Sequence, residues 1–212
     1  MKHSVTKIDA SISALNSSRD LYNRDEELFE RYIDLLLQWN EKINLVSRTV
    51  SRETVREHVV HSLLPLSLNL LAGYRQWIDA GSGGGMPGIP ISISNRELNV
   101  VLNDNVKKKM MAVDDIVSTM GLPNISTIDR SISLVDLKMG TGIISKHAFK
   151  IPKLIQLLKG KPWELIILWK GVKDVEQELT ETKGSLNAKI IRFDFGSGEP
   201  FYEGKGLVVL QK

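Results

Sequence analysis

The sequence predicts an α/β fold in which a mostly parallel, seven-stranded sheet follows a helical N-terminal segment. Three observations predict it. From Tyr74 onward, short apolar runs alternate with amphipathic segments, the pattern of strands joined by crossover helices. Before Tyr74 the apolar residues recur at three- and four-residue spacing, the period of a helix with one buried face. The first apolar run after Tyr74 then enters a turn, Gly81-Ser82-Gly83-Gly84-Gly85-Met86-Pro87-Gly88-Ile89-Pro90, too rich in glycine for a plain connection.

In chain order, Asn23 to Ser47 reads as a helix opened by an Asn23/Glu26 capping pair, with Leu28, Phe29, Tyr32, Ile33, Leu36, Trp39 and Ile43 on one face. A second helix is expected over Arg52 to Leu71 on a stripe of Val55, Val59, Leu63, Leu66 and Leu70, kinked or interrupted at Pro65. Strands are expected at Gln76–Asp79, Asn99–Asn103, Ile125–Ile128, Gly142–Ser145, Leu165–Trp169, Lys189–Phe193 and Leu207–Leu210, most of them followed by a helix. The rhythm changes near Leu71-Ala72-Gly73-Tyr74, which divides the chain into an N-terminal helical cap, residues 1–73, packed on a main domain, residues 74–212. The glycines at 196, 198, 204 and 206 suit a mobile loop or lid before the last strand.

Composition bounds the function. The 212 residues, 42% hydrophobic and 25% charged, are enough for a full core. The absence of cysteine excludes a disulfide framework and a thiolate metal site. Met1 to Asp20 lacks the apolar core of a signal peptide, and no later run is long enough to span a bilayer, so a cytoplasmic protein with no membrane partner is expected. The net charge of +3 is mild, but Lys107, Lys108, Lys109, Lys138, Lys146, His147, Lys150, Lys153, Lys159 and Lys161 concentrate basic groups in the middle of the chain. They form either a phosphate-facing surface or a set of solvated helix faces.

In an open parallel sheet, ligands sit beyond the carboxyl ends of the strands, which is where the Gly-rich turn falls. It lacks the Lys-Ser/Thr ending of a triphosphate-binding loop. Asp79, just before the glycines, would repel a pyrophosphate and suits an ammonium. Asp104, after the second strand, is placed either to hold the two ribose hydroxyls of an adenosine or to cap the helix that follows. Ammonium, carboxylate and adenosine together describe S-adenosylmethionine. His58 and His61 lie one helical turn apart, but no third ligand is near, so local hydrogen bonding is expected there and no metal. Trp39 and Trp77 read as core, whereas Trp163 and Trp169 are open between core and base stacking.

With these residues in hand, the chain resembles the RsmG family, also called GidB or glucose-inhibited division protein B, bacterial methyltransferases that modify N7 of a guanine in the decoding region of 16S rRNA. The resemblance rests on Trp77-Ile78-Asp79-Ala80-Gly81 through Pro90, on Trp39-Asn40 with Asn44-Leu45 and Ser47, on His58 with Ser62, and on Asp104 followed by Lys108 and Lys109. It implies a class I S-adenosylmethionine-dependent methyltransferase, Rossmann-like, with an N-terminal helical extension. It further implies a partner in 16S rRNA or the small subunit, and a monomer with no obligate protein partner. An enzyme acting on another RNA, or a non-catalytic ribosome-associated binder, is the alternative.

The resemblance implies a cofactor site made by Asp79, Gly81, Ser82, Gly83, Gly85, Met86, Asp104, Asn105, Ser131, Ile132 and His147. It implies substrate positioning by Lys108, Arg130, Lys146, His147 and Lys170 with no general base, and RNA contacts from Lys108, Lys146, Lys170 and Lys205. The chain departs from the family at three places. Arg130-Ser131-Ile132 lacks the usual Arg-x-Glu carboxylate, Lys146-His147 replaces a Ser-Arg-Ala arginine, and His61 stands where aspartate is usual.

Overall fold

A computed structural model describes residues 3–212, so Met1 and Lys2, which open the expected cap, lie outside the described residues. The chain forms β1 (Ser4–Ala10), α1 (Ile12–Arg24), α2 (Glu26–Asn40), α3 (Arg52–Ser67), β2 (Gln76–Ala80), α4 (Gly88–Ser94), β3 (Asn99–Asn103) and α5 (Lys107–Met120). It continues through β4 (Ile125–Ile128), β5 (Thr141–Lys146), α6 (Ile151–Leu157), β6 (Leu165–Gly171), α7 (Val175–Thr180), β7 (Asn187–Phe193) and β8 (Lys205–Gln211). All seven expected strands are present, most of them a residue or two longer than their apolar cores.

The sheet runs β1-β7-β8-β6-β5-β2-β3-β4, and only β8 is antiparallel to its neighbours. It has eight strands because Ser4–Ala10 pairs in parallel with Asn187–Phe193. Six of its seven residues are exposed, so its sequence lacks the apolar pattern that announces a buried strand. The stretch expected to be a purely helical cap therefore contributes an edge strand to the main sheet. From β2 the chain moves outward through β3 and β4, then returns to place β5 on β2's other side, which makes the β2/β5 boundary the switch point.

Apolar stripes from α1 to α5 form one core on one face of the sheet, including Leu15, Phe29, Ile33, Leu36, Val59 and Val113. Ile151, Leu154, Val175 and Leu179, from α6 and α7, cover the other face. The expected Asn23–Ser47 helix is shorter at both ends. Asn23 belongs to α1, and α2 stops at Asn40, whose side-chain oxygen accepts the N–H groups of Leu45 and Val46 at 2.8 and 3.0 Å. That capture folds the 41–47 segment away from the helix axis. Ser51 caps α3 by accepting Thr54 N–H at 3.1 Å.

Pro65 does not interrupt α3, which continues to Ser67. Proline has no N–H to give the carbonyl four residues back, that of His61, and the indole of Trp169 donates to that carbonyl at 2.9 Å instead. Trp169 and Trp163 are both buried, which resolves them as core. The Gly196–Gly206 loop is tethered. Tyr202 is fully buried and donates to Glu57 at 3.0 Å, while Arg19 grips Glu199 through two 2.7 Å bonds. Among the described residues, no helix is long and apolar enough to cross a membrane.

Candidate active site

The Gly-rich turn leaves β2 at the switch point and doubles back on itself. Gly81 and Ser82 both donate to Asn103 O, at 2.7 and 3.0 Å, which locks the turn to the end of β3. Gly81, Gly83 and Gly85 have φ of +72°, +55° and +96°, values that side chains with a Cβ rarely adopt. The N-terminal helices clamp the turn from behind: Tyr32 donates to Gly84 O at 2.9 Å, and a Cβ on Gly84 would stand 2.7 Å from Leu36 Cδ1.

The turn's residues alternate between facing outward and inward. Gly81 and Gly83 line an open cleft of about 680 Å³, a size in the range of pockets that take small molecules, roughly 300–1,000 Å³. Ser82, Gly85 and Met86 are turned inward and buried, with Ser82 Oγ against Met110 Sδ at 3.8 Å. Asp79 also lies beneath the turn. It is fully buried, and its Oδ2 accepts Gly88 N–H at 2.8 Å while its Oδ1 has no partner. Burial pushes its pKa up to about 7 against the opposing pull of the Gly88 N–H.

Asp104 lines the cleft and does two things at once. Its Oδ2 accepts Gly83 N–H at 3.2 Å, and its Oδ1 accepts Val106 N–H at 2.9 Å, ahead of α5. Each oxygen keeps a further lone pair, so the cap and an outward acceptor coexist. Asn105 stands exposed beside it. Asn103 Nδ2 reaches Ile128 O and Arg130 O at 3.1 and 2.7 Å, bringing the end of β4 to the cleft with Arg130, Ser131 and Ile132 on the wall. Ile132 is anchored in the core and only 2% exposed.

The basic residues separate in space. Lys109, Arg130, Lys146 and Lys153 line the cleft, and among the described residues Asp104 is the one carboxylate of its lining. Lys108, singled out from the sequence, is exposed outside that lining, while its neighbour Lys109 is in it. Three adjacent lysines look alike in sequence; the start of α5 at Lys107 decides which one reaches the cleft. Lys170 does not face the cleft as a free cation. It is bonded to both oxygens of Glu178 at 2.7 and 2.6 Å with both side chains nearly buried, and it also donates to Phe149 O at 3.2 Å. Lys205 lies over the Phe201 ring, 3.5 Å from its centroid, and donates to Phe201 O, also away from the cleft.

The structure separates Lys146 from His147. The Lys146 ammonium turns to α3, where it meets His58 O, His58 Nδ1 and Ser62 Oγ at 2.9, 3.3 and 3.3 Å. Burial, with Lys205 nearby, lowers its pKa to about 7. His147 adopts φ +56° and stays exposed at the cleft. His61 departs from the expected hydrogen bonding. It is fully buried against Phe193, Phe201 and Tyr202, and neither ring nitrogen has a partner. Among the described residues no three His, Cys, Asp or Glu side chains form a metal-holding group.

Sequence reasoning missed Leu45 and Phe149 as lining residues, and held Lys153 only as one of a cluster of basic groups. Asn40, which folds Leu45 into place, was legible as part of the Trp39-Asn40 motif, but Phe149 had no signal short of the tertiary fold. A larger groove of about 800 Å³ opens at the opposite end of the sheet, between Trp163 and Leu186, and no residue of the expected site lies there.

The GidB family profile, described as rRNA small subunit methyltransferase G, matches residues 25–194. The ribosomal RNA small subunit methyltransferase G of Chlorobium limicola is 29% identical over 222 residues, covering 100% of both chains. The protein of the same name from Christiangramia forsetii is 30% identical over 190 residues, 86% of this chain and 88% of the relative. Among solved structures, an O-methyltransferase from Bacillus cereus in complex with SAH superposes with a TM-score of 0.58 at 16% identity, covering 85% of this chain and 90% of that one. The 23S rRNA methyltransferase ErmE gives 0.51 at 10% identity over 77% and 68%. The structural likenesses show the fold, that of methyltransferases, and the sequence match shows the family. With its Gly-rich turn at the switch point and Asp104 on the cleft wall, the chain belongs to the rRNA small subunit methyltransferase G family.

Proposed function

We propose that the chain transfers the methyl group of S-adenosylmethionine to N7 of a guanine in the decoding-region loop of 16S rRNA, acting as a monomer on the small ribosomal subunit in the cytoplasm. Membership of the family makes it an S-adenosylmethionine-dependent rRNA methyltransferase. The observation that carries the finer reading is the mixed lining of one cleft, where glycine backbone and Asp104 meet the cationic side chains of Lys109, Arg130, Lys146 and Lys153.

The residues present fit the cofactor. Asp79 Oδ1 is a buried carboxylate oxygen without a partner, the acceptor an ammonium would satisfy, and Asp104 has lone pairs left for ribose hydroxyls. Gly81 and Gly83 contribute backbone without side chains to the lining. Bound there, S-adenosylmethionine would supply a methyl on a sulfonium, and transfer would make an N7–C bond as the C–S bond breaks, its electron pair returning to sulfur. Guanine N7 carries an in-plane lone pair, so no side chain has to remove a proton before attack. The chain acts by alignment: the turn holds one reactant, the cationic side chains hold the RNA backbone of the other, and proximity supplies the rate. Both candidates for the family's arginine line the cleft; His147 is exposed there, while the Lys146 ammonium ties β5 to α3.

The test is label transfer. Purified protein is given labelled S-adenosylmethionine and small subunits from a strain lacking the modification, and the label is mapped on the RNA. Label on N7 of one decoding-region guanine is the expected result. Label elsewhere moves the acceptor, and cofactor binding without any transfer supports a non-catalytic binder.

A further inference from the structure

We propose that Phe149 is the platform on which the target guanine stacks during transfer, an inference that rests on the acceptor named above. N7's lone pair lies in the plane of the base, so the base must meet the methyl edge-on. Fixing that plane requires a surface against the ring's face. A base drawn out of its RNA stack also loses a stacking partner, and an aromatic side chain is the usual replacement.

Among the described residues, Phe149 is the only Phe, Tyr or Trp lining the cleft. The four tryptophans are otherwise engaged: Trp77, Trp163 and Trp169 are buried, and Trp39 donates to Asp115 at 2.9 Å. The Phe149 ring leans on the Gly-rich turn, with Cε2 and Cζ 3.1 and 3.7 Å from where a Cβ on residue 81 would stand. Gly81, where a Cβ would also stand 2.5 Å from Ala148 Cβ, is thus what lets the Ala148-Phe149 segment reach the part of the turn that faces the cleft. The ring is partly buried, so it rests on the second core while leaving area toward the cleft.

The backbone behind the ring is held from the core side. Lys170 Nζ donates to Phe149 O at 3.2 Å, and its partner Glu178 accepts Ile151 N–H at 2.7 Å. His147 N–H donates to Trp169 O at 3.2 Å. The nearly buried Lys170–Glu178 pair, which reaches no RNA-facing surface, has its use here: it braces the loop that presents Phe149. A braced aromatic ring loses little freedom when a base stacks on it.

Phe149→Leu keeps an apolar contact on Gly81 and removes the aromatic face, while Phe149→Tyr keeps the face. Three quantities are read for each: the Kd of labelled S-adenosylmethionine, KM and kcat on unmodified small subunits at saturating cofactor, and Tm. Stacking is worth about 1–3 kcal/mol per base, so Phe149→Leu should raise the acceptor KM or lower kcat/KM by about 5- to 150-fold, with cofactor Kd unchanged. Phe149→Tyr should stay close to the parent. Equal acceptor kinetics for the parent and Phe149→Leu overturn the platform. So does a rise in cofactor Kd with acceptor KM unmoved, or a loss in Phe149→Tyr as large as in Phe149→Leu. A parent protein that binds cofactor but labels no 16S rRNA overturns the acceptor reading first, and the platform with it.

Discussion

His61→Phe should make the protein less sensitive to acid. His61 is fully buried, its ring nitrogens have no partners, and burial, with Lys146 close by, keeps it neutral well below the ordinary range of a histidine. In the unfolded chain the same ring protonates near pH 6.5. Below that value the unfolded state binds the extra proton, so stability present at neutral pH is lost as pH falls. From pH 7.5 to pH 5.0 a ring protonating at 6.5 only when unfolded removes about 2 kcal/mol. His58, pushed down to about 3 chiefly by burial, removes a similar amount. Asp79 works in the opposite sense. Its folded pKa of about 7 lies above its unfolded value, so its contribution grows as pH falls and offsets about 2.5 kcal/mol over the same interval. Both of these backgrounds are common to parent and variant and drop out of the comparison. Urea unfolding at the two pH values should therefore show His61→Phe losing about 2 kcal/mol less than the parent. At pH 7.5 the variant should also gain about 1–3 kcal/mol, because two unpaired buried nitrogens give way to carbon among Phe193, Phe201 and Tyr202. An identical loss of stability on acidification in both proteins would refute the reasoning.

Three other outcomes are expected. Gly88→Ala places a Cβ 2.3 Å from Leu102 Cδ2 and 3.0 Å from Asp79 Oδ2, so thermal unfolding should report a loss of about 1–3 kcal/mol and dialysis a weaker cofactor site. Lys170→Met leaves Glu178 buried and uncompensated and should cost about 3–5 kcal/mol in urea, most of it recovered in Lys170→Met/Glu178→Leu. Replacing Lys109 and Lys153 by alanine should flatten the salt dependence of rRNA binding by about 0.7 in log–log slope for each phosphate that is no longer neutralised, whereas Lys183→Ala, at the opposite end of the sheet, should leave that slope in place.

Much of the fold was legible because burial leaves a periodic trace. Seven strands and the stripes of α2 and α3 could be read from Phe29, Tyr32, Ile33 and Leu36 or from the apolar run of β6, since each of these elements has a face in the core. β1 escaped because an exposed edge strand is held by backbone hydrogen bonds to β7, which are indifferent to side-chain type. The end of α2 escaped because it depends on where one amide, Asn40, sends its oxygen. Pro65 was expected to kink or interrupt α3, yet the helix continues to Ser67, with Trp169, a hundred residues later, supplying the donor that proline lacks.

For the site, the sequence by itself determined the chemistry on offer: glycines where backbone must be bare, carboxylates at Asp79 and Asp104, and lysines nearby. These follow from residue type and short-range order along the chain. Only the tertiary structure decided which groups face the cleft. It turned Gly81 and Gly83 outward and Ser82 and Met86 inward, chose Lys109 over Lys108, bound Lys170 to Glu178, sent Lys146 to α3, and brought Phe149 against Gly81. Side-chain direction and ion pairing are set by neighbours distant in sequence, and the order of residues along the chain carries no local record of them.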